Sequence, residues 1–382
     1  MNPLQKLEQL GQSIWYDNIS RGLILNGELK AMVENGILGV TSNPTIFEKA
    51  ISGSTHYDVQ IRELAGSNPA MPVEEMIQAL MTRDIQMAAD VLLPVYERTG
   101  GRDGYVSVEV APGKARDTQR TLEEVRQLWS LVKRKNVMVK IPATREGLPA
   151  VEQAISEGFN INVTLIFSVE RYREVAEAYI AGLERRMRQG RPIDHVASVA
   201  SVFVSRIDTL VDELLQRKVS AGAEGAGTAR LGALQGKAAV ANTKLVYQAF
   251  TEIFNGSRFE QLRAKGARVQ RPLWGSTGTK NPAYSDLLYV ETLVGPDTVN
   301  TVPPATLAAL LDHLKPAVTI DSALDSARSI LREIGTEGID MKWVMKKLED
   351  DGVAAFAKSF DGLYRNVREK RDHAARAGAP DS

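Results

Sequence analysis

Eight short runs rich in β-branched and aromatic residues recur along the chain, and helical patterns separate most of them. The runs cover residues 14–19, 38–43, 105–110, 137–142, 161–167, 196–204, 271–277 and, more weakly, 298–303. Strands that alternate with helices favour a parallel sheet. Eight such strands predict an α/β fold, a closed (β/α)8 TIM barrel, with an open doubly wound sheet as the alternative.

Capping residues mark helices after three of these runs. Residues 118–132 place apolar side chains on one face and follow Asp117, a candidate N-cap. The pattern over 148–158 stops at Gly158, and the pattern over 168–190 begins at Ser168 and stops at a glycine. These signals predict helices after the third, fourth and fifth strands.

Other stretches predict additions to the barrel. Residues 50–71 have an irregular pattern, whereas 72–98 are typical of a helix. The Gly/Ala-rich segment 220–236 contains Gly-Lys, but neither Ser nor Thr follows and no strand precedes, so it fails the templates for nucleotide-binding loops. We interpret it as a flexible loop. Residues 322–374 are typical of helices.

These features predict a single barrel domain with extra helices over residues 1–374, interrupted by the insertion at about 220–236. Residues 375–382 are expected to form a flexible tail. The charged C-terminal sequence fits either a frayed terminus or a linker to another domain.

The composition excludes several classes of function. Lysine plus arginine and aspartate plus glutamate number 47 each, so no strong basic field favours nucleic acid. The chain has no cysteine, which excludes disulfides, thiolate catalysis and cysteine-ligated zinc, and its 4 histidines form no ligand motif. The N-terminus lacks an apolar signal region and no apolar run could span a bilayer. We expect a cytoplasmic protein that binds neither nucleic acid nor membrane.

One lysine stands inside an apolar strand. Lys140 lies in the run Val-Met-Val-Lys-Ile-Pro, and lysine is almost never fully buried without a partner. Its stem could simply pack while its ammonium group reaches water. Near the C-terminal end of a barrel strand, however, it would lie where catalytic groups gather. Burial disfavours the charged form, and a neutral amine can attack a ketone to form a Schiff base.

Polar side chains near other strand ends fit the same location. They are Asp17, Asn43, Glu109, Asn162, Thr164 and Ser201. Asp17 and Asn43 could instead cap turns, and residues 162–164 match a glycosylation sequon that a buried strand would hide. Glu109 is harder to dismiss, since a carboxylate in a buried strand needs a partner. Together these residues predict one polar patch at the mouth of the barrel.

Two further stretches are suited to phosphate. Arg206 begins the helix after the sixth strand, although it could instead pair with Asp208 or another carboxylate. The small-residue turn 274–281 follows the seventh strand and has Lys280 at its rim. Barrels often bind phosphate near strands seven and eight, and the backbone N–H groups of such a turn can form an anion-binding nest.

The motifs together resemble transaldolases. They run in order from YDNISR and GVTSNPTIFEKAI through SVEVAP, VMVKIPAT and GFNINVTLIFS to SVFVSRID and LWGSTGTKNPAYSD, over residues 13 to about 305. The length and the insertion resemble the longer bacterial subgroup. The resemblance implies a circularly permuted class I aldolase barrel with the Schiff-base lysine on the fourth strand, which is also where the strand count places Lys140.

The resemblance implies catalytic roles for four residues. Lys140 would form the Schiff base with the ketose donor, and Asp17 would be the general base that cleaves the C–C bond. Glu109 and Thr164 would hold a catalytic water for carbinolamine formation and dehydration.

It also implies a set of substrate contacts. Asn43 and Asn162 would hydrogen-bond the three-carbon unit, with Thr41 and Ser201 as supporting contacts. Arg206 would bind the terminal phosphate. Many short relatives carry a second arginine after strand seven; this chain reads GSTGTK there, so Ser276 and Lys280 are assigned to that role.

The implied reaction converts sedoheptulose 7-phosphate and glyceraldehyde 3-phosphate to erythrose 4-phosphate and fructose 6-phosphate, in the non-oxidative pentose phosphate pathway. It implies no metal and no cofactor. A fructose-6-phosphate aldolase is the nearest alternative, but such aldolases typically have Gln where this chain has Glu109 and Tyr where it has Phe203. A non-catalytic phosphosugar-binding barrel and a module of a fusion with a sugar-phosphate isomerase are further alternatives. The sequence leaves both a monomer and a homodimer open.

Overall fold

A closed barrel of eight parallel strands forms the centre of the protein. The computed structural model describes residues 2–221 and 225–377. The strands are β1 (Gln12–Tyr16), β2 (Gly39–Val40), β3 (Tyr105–Glu109), β4 (Val137–Pro142), β5 (Ile161–Ile166), β6 (Ser198–Phe203), β7 (Arg271–Gly275) and β8 (Thr298–Val302). Each strand pairs with the next, and β8 closes the ring by pairing with β1. The predicted TIM barrel is therefore confirmed.

Burial on both faces explains why these strands can be recognised in the sequence. Every residue of the eight strands is buried, so the strands appear as almost continuous apolar runs rather than as alternating patterns. The closing pair runs in register from Gln12 opposite Thr298 to Tyr16 opposite Val302. The strand β2 has only 2 residues, yet it still bridges β1 and β3.

Seventeen α-helices surround the strands in the described residues. They are α1 (Pro3–Gln9), α2 (Arg21–Leu25), α3 (Glu28–Glu34), α4 (Pro44–Ser52), α5 (Asp58–Ser67), α6 (Val73–Arg98), α7 (Thr118–Val132), α8 (Gly147–Glu157), α9 (Val169–Arg188), α10 (Ser205–Ser220), α11 (Ala226–Leu234), α12 (Ala238–Phe254), α13 (Ser257–Arg263), α14 (Leu288–Glu291), α15 (Pro304–His313), α16 (Leu324–Thr336) and α17 (Met341–Ala377). None of them is long and apolar enough to span a membrane.

The capping signals in the sequence correspond to real helix ends. The Asp117 side chain accepts from the N–H of Arg120 at the start of α7, and the Ser168 side chain accepts from the N–H of Arg171 at the start of α9. Gly158 ends α8 in the left-handed conformation with φ 95°. These side chains satisfy backbone groups that a helix end leaves without partners.

Two of the sequence interpretations are wrong in part. The stretch 50–71 is not irregular, because it holds the end of α4 and all of α5. The insertion is not simply a loop, because it includes α11, which buries Leu231 and Leu234. Residues 222–224 of the insertion lie outside the described residues. At the C-terminus α17 continues past residue 374 to Ala377, and the remaining predicted tail, 378–382, also lies outside them.

The long helix α17 crosses the C-terminal end of the barrel. It packs against α4, α5 and α10 and approaches β5. A Cβ atom added at Gly352 of this helix would meet the Leu165 side chain at 2.9 Å and Arg206 Nη1 at 3.7 Å. A glycine therefore lets the helix approach the barrel mouth closely.

A buried polar network closes the opposite end. Asp103 Oδ2 accepts a hydrogen bond of 2.8 Å from Ser13 Oγ, and Asp103 Oδ1 accepts from Trp15 Nε1 at 2.9 Å and from Arg271 Nη1 at 3.0 Å. The network fixes the Trp15 indole, which is fully buried. The buried charges of Asp103 and Arg271 compensate each other, as buried ionised groups require.

Substituting Gly39 tests how rigidly the Trp15 indole is held. A Cβ atom at Gly39 would lie 2.5 Å from Trp15 Cδ2, and a rigid indole fixed by Asp103 cannot give way cheaply. We expect Gly39→Ala to destabilise the protein by about 1–3 kcal/mol, the usual cost of overpacking. The measurement is the urea midpoint of unfolding.

The matched control for this substitution is Gly66→Ala in α5. A Cβ atom there meets nothing within 4 Å, and alanine favours a helix more than glycine does. Gly66→Ala should therefore leave the midpoint unchanged or raise it. Equal midpoints for wild type and Gly39→Ala would contradict the prediction.

Candidate active site

A cavity of about 100 Å³ opens at the C-terminal ends of the strands, beneath α17. Eight of the eleven site residues predicted from sequence line it: Asp17, Thr41, Asn43, Lys140, Thr164, Ser201, Arg206 and Ser276. The barrel therefore gathers into one small volume residues that are widely separated along the chain, where TIM barrels carry their active sites.

Lys140 is buried, with 5% of its surface exposed. Its Nζ lies 3.2 Å from Glu109 Oε2 and donates a hydrogen bond of 3.0 Å to the carbonyl oxygen of Ser42. Glu109 on β3 stands directly opposite Lys140 on β4 in the strand register. The unusual lysine in an apolar strand therefore has a carboxylate partner, as a buried ammonium group requires.

Glu109 does not line the cavity, but it contacts Lys140 from the neighbouring strand. Burial raises the pKa of its carboxyl group, and the charge of Lys140 opposes that rise. The contact with Lys140 is an ion pair without good hydrogen-bond alignment, so neither Glu109 oxygen has a hydrogen bond within the described residues. The buried hydroxyl of Thr164 also lacks one there. Because buried polar atoms are normally satisfied, these oxygens are suited to hold a water molecule.

Asp17 follows β1 and accepts a hydrogen bond of 2.7 Å from Thr41 Oγ1. The same hydroxyl lies 2.6 Å from Thr301 Oγ1 of β8. Burial raises the pKa of Asp17, while the bond from Thr41 and the charges of Lys140 and Arg206 lower it. Asp17, Lys140 and Arg206 line the same cavity, so both cations act on this carboxyl group.

Asn43 and Asn162 differ in their position relative to the cavity. The Asn43 side chain accepts from the N–H of Ile46 as the N-cap of α4, and it also lines the cavity. Asn162 is fully buried and does not line it. Its amide group donates to Ser107 Oγ at 3.0 Å and accepts from Ser201 Oγ at 2.6 Å. In this structure Asn162 orients Ser201 rather than facing the cavity.

Arg206 carries a cation without a countercharge in contact. No hydrogen bond or ion pair reaches its guanidinium group from residues 2–221 or 225–377, and it stacks on the Phe203 ring at 5.0 Å. Burial lowers its pKa. The alternative pairing with Asp208 is wrong, because that carboxylate accepts from Tyr289 Oη and from the N–H of Ala239. An unpaired, partly buried arginine is suited to an anionic ligand.

The turn after β7 contributes only one of its two predicted residues to the cavity. Ser276 lines it with φ 53°, a strained backbone for a residue other than glycine, and its Oγ lies 2.9 Å from Ser205 Oγ. Lys280 is exposed and lines a neighbouring cavity of about 210 Å³ instead. Partial desolvation and the charge of Arg206 lower the pKa of Lys280, and the cavity that Lys280 lines is also lined by Ser205, the residue before Arg206.

Sequence reasoning missed several residues of the cavity wall: Leu273, Gly275, Thr301 and Phe356. Thr301 belongs to the weakest predicted strand, where alternation of inward side chains could have identified it. Phe356 comes from α17, and no local signal in a helix reports which distant strand ends it will cover. Within the described residues, no group of three His, Asp or Glu side chains could hold a metal ion.

The chain is similar to known proteins over almost its whole length. A family model described as transaldolase/fructose-6-phosphate aldolase matches residues 14–367. The chain is 46% identical to a protein named transaldolase from Trichodesmium erythraeum over 372 residues, covering 97% of each chain. It is 47% identical to a transaldolase 2 from Nostoc punctiforme over 373 residues, again 97% of each. A transaldolase from Thermobifida fusca is 47% identical over 371 residues, covering 97% of this chain and 98% of its own.

Proposed function

The chain belongs to the transaldolase/fructose-6-phosphate aldolase family, and from this premise we propose that it transfers a dihydroxyacetone unit between phosphosugars through a Schiff base on Lys140. One observation carries the proposal. The buried Lys140 shares a cavity with a carboxylate, Asp17, and with the unpaired cation of Arg206. An amine, a base and a phosphate anchor are the groups that this reaction needs.

The first step joins the ketose to the lysine. Lys140 first gives its ammonium proton to a water beside Glu109; the neutral amine then attacks the C2 carbonyl carbon, the carbonyl oxygen takes up a proton, and loss of water from the resulting carbinolamine gives an iminium ion. The released water and the protons that move with it need a nearby relay. The unsatisfied oxygens of Glu109 and Thr164 support that role for a water held between them.

The second step breaks the bond between C3 and C4. Asp17 takes the proton of the C4 hydroxyl group, the aldehyde leaves, and the bonding electrons pass to the iminium to form an enamine on Lys140. The iminium thus serves as the electron sink, and the proposed enzyme needs neither a metal nor a cofactor. The enamine then attacks the acceptor aldehyde, Asp17 returns the proton, and water releases the new ketose.

A cation that binds phosphate selects phosphorylated sugars as substrates. We propose that sedoheptulose 7-phosphate and glyceraldehyde 3-phosphate are converted to erythrose 4-phosphate and fructose 6-phosphate, in the non-oxidative pentose phosphate pathway. Phosphorylated sugars do not cross membranes freely, which supports a cytoplasmic location. Asn43 and Ser201 lie where they could contact the three-carbon unit, and Asn162 would hold Ser201 in place.

The second candidate is an aldolase that releases the three-carbon unit to water, since the matching family includes both activities. The carboxylate of Glu109 and the ring of Phe203 favour transfer, because such aldolases resemble this chain but typically have Gln and Tyr there. A coupled assay with fructose 6-phosphate separates the two. Release of glyceraldehyde 3-phosphate that depends on added erythrose 4-phosphate supports transfer; equal release without the acceptor overturns it.

Replacing Arg206 should weaken phosphate binding without removing the chemistry. We expect Arg206→Ala to raise KM for fructose 6-phosphate and to lower kcat/KM by roughly 10²-fold or more, about 2–3 kcal/mol, because a charged hydrogen-bonding group is lost. Slow turnover of unphosphorylated fructose should change far less. Steady-state kinetics with both sugars measure the difference.

Two controls accompany this measurement. Arg206→Lys keeps the charge but loses the planar fork, so its effect should be intermediate. Arg186→Ala removes another buried arginine, whose guanidinium bonds the carbonyl oxygens of Pro192 and Ser156, and should cost stability without changing sugar selectivity. Equal losses with fructose and fructose 6-phosphate in Arg206→Ala would mean that the residue supports the barrel and phosphate binds elsewhere.

A further inference from the structure

A second cavity lies beside the active site, lined by Lys280 and by Ser205, the residue that precedes Arg206. It is formed by one face of α10 and by the segment that follows β7. Two buried or half-buried acids of α10, Asp208 and Asp212, meet two tyrosines there, Tyr289 and Tyr284. The mechanism above uses none of these four residues.

Each acid joins three segments of the chain. Asp212 accepts from Tyr284 Oη at 2.7 Å and from the N–H of Gly236 at 2.9 Å. Asp208 makes the equivalent bonds with Tyr289 and with Ala239 at the start of α12. Carboxylates taken out of water are costly unless hydrogen bonds satisfy them. The acids therefore hold their neighbours firmly rather than remaining free ligands.

Tyr284 attaches the exposed stretch 280–286 of the loop after β7. Its neighbours Asn281, Pro282, Ala283 and Ser285 are all exposed, whereas Tyr284 is half-buried against Gly236. A Cβ atom at Gly236 would lie 2.7 Å from the Tyr284 ring, and its φ of 68° also favours glycine. The insertion thus ends in a glycine that makes room for this tyrosine.

The loop is held to α10 at both of its ends. At its start the Ser276 hydroxyl contacts the Ser205 hydroxyl, and the N–H of Ser205 donates a hydrogen bond of 3.0 Å to the Ser276 carbonyl oxygen. At its end Tyr284 donates to Asp212. Two helical turns separate Ser205 from Asp212, a span of about 10.5 Å. Lys280 lies midway along the loop and, within the described residues, its ammonium group has no hydrogen bond or ion pair.

We propose that Tyr284 and Asp212 are a positioning pair that holds Lys280 beside Arg206, so that the loop after β7 and the N-terminus of α10 form one two-cation site for the substrate phosphate. The inference rests on the proposed function. Neither member of the pair touches substrate. A fixed loop presents Lys280 in advance, and preorganisation of this kind lowers the entropic cost of binding.

Kinetics of Tyr284→Phe provide the first test. The change removes one hydroxyl group and keeps the ring, so KM for fructose 6-phosphate should rise roughly three- to tenfold, the scale of one hydrogen bond, while kcat stays within about twofold. Turnover of unphosphorylated fructose should not change. Asp212→Asn, which leaves the loop a weaker partner, should act in the same direction.

The control is Tyr179→Phe, which also loses a tyrosine hydrogen bond of 2.7 Å, to the carbonyl oxygen of Arg268, far from the loop. It should lower the melting temperature about as much without moving KM. A KM for fructose 6-phosphate unchanged in Tyr284→Phe would overturn the proposal, as would an equal loss with fructose.

A double-mutant cycle tests whether the pair acts through Lys280. Lys280→Ala alone should raise KM roughly tenfold, and adding Tyr284→Phe should raise it little further, because the second change has no cation left to position. Independent, multiplying effects would overturn the inference and leave the pair as a stabilising contact only.

A binding readout separates this inference from the proposed function. Inorganic phosphate should raise the melting temperature of the wild type, less that of Tyr284→Phe, and least that of Arg206→Ala. This order supports the pair even if no transfer is detected in the coupled assay, an outcome that would overturn only the proposed function. Equal shifts in the wild type and Tyr284→Phe would overturn the pair even if transfer is found.

Discussion

Lys140→Met is expected to lower kcat by roughly 10⁵-fold or more, because the covalent pathway starts from this amine. Borohydride added with fructose 6-phosphate should leave a reduced dihydroxyacetone adduct on the wild-type peptide that contains Lys140, and none on the variant. Mass spectrometry of the digested protein measures the adduct. Methionine matches the length of the lysine stem, so the apolar packing on β4 is kept.

The Lys140→Met variant should stay folded because Glu109, the ion-pair partner of Lys140, can become neutral. The charge of Lys140 opposes the rise that burial causes in the pKa of Glu109. Without that charge the pKa rises further, and the buried carboxyl group becomes neutral instead of standing as an unpaired charge. The double variant Lys140→Met, Glu109→Gln should therefore unfold at nearly the same temperature as the single variant.

Lys244 supplies the matched control. It is the other buried lysine of the described residues, with 8% of its surface exposed, and its Nζ donates to the carbonyl oxygens of Thr319 and Ser322. Burial lowers the pKa of Lys244. Lys244→Met should cost stability but keep both the adduct and the activity. A borohydride adduct on Lys244, or on any lysine other than Lys140, would contradict the assignment.

The contrast between these lysines shows what a sequence can and cannot reveal. Lys140 interrupts a strand of β-branched and apolar residues, and its place in the fourth strand indicates the barrel mouth. Lys244 lies in a helix, where a lysine at any position is ordinary, and the sequence shows nothing unusual. Its burial arises from the segment at Thr319, 75 residues away.

The barrel could be predicted because its strands are buried on both faces and their composition is distinctive. The secondary structure that was missed has weaker local signals. The helix α5 buries only Ile61 completely, so no apolar stripe marks it. The helix α11 is rich in glycine and alanine and depends on contact with α10. Tertiary packing stabilises such helices more than their own propensity does.

The lining of the cavity was predictable where a residue sits on a strand end, and less so where a loop or a distant helix takes part. Asp17, Lys140 and Thr164 project into the cavity because strand order fixes them. Lys280 lies on a loop whose path depends on Tyr284, and Phe356 arrives on α17. A strand fixes its side chains by register, whereas a loop is fixed by individual side-chain contacts.

Asp17→Asn is expected to lower kcat by roughly 10²–10⁴-fold, the usual contribution of a general base. The amide oxygen can still accept the bond from Thr41, so the shape of the site is kept. The chemistry should stop one step later than in Lys140→Met. Borohydride with fructose 6-phosphate should trap a six-carbon phosphorylated adduct on Lys140, whereas the wild type should yield the three-carbon adduct.

The pH profile identifies the group that carries the proton. Burial raises the pKa of Asp17 above 3.8, and the hydrogen bond from Thr41 opposes the rise. A base works only when deprotonated, so kcat/KM should fall as the pH drops through this raised pKa. Thr41→Val removes the opposing bond and should move that acid limb to higher pH. An acid limb that does not move, together with a three-carbon adduct formed by Asp17→Asn at the wild-type rate, would assign the proton transfer to another group; Glu109, the other carboxylate beside Lys140, would then be the first to test.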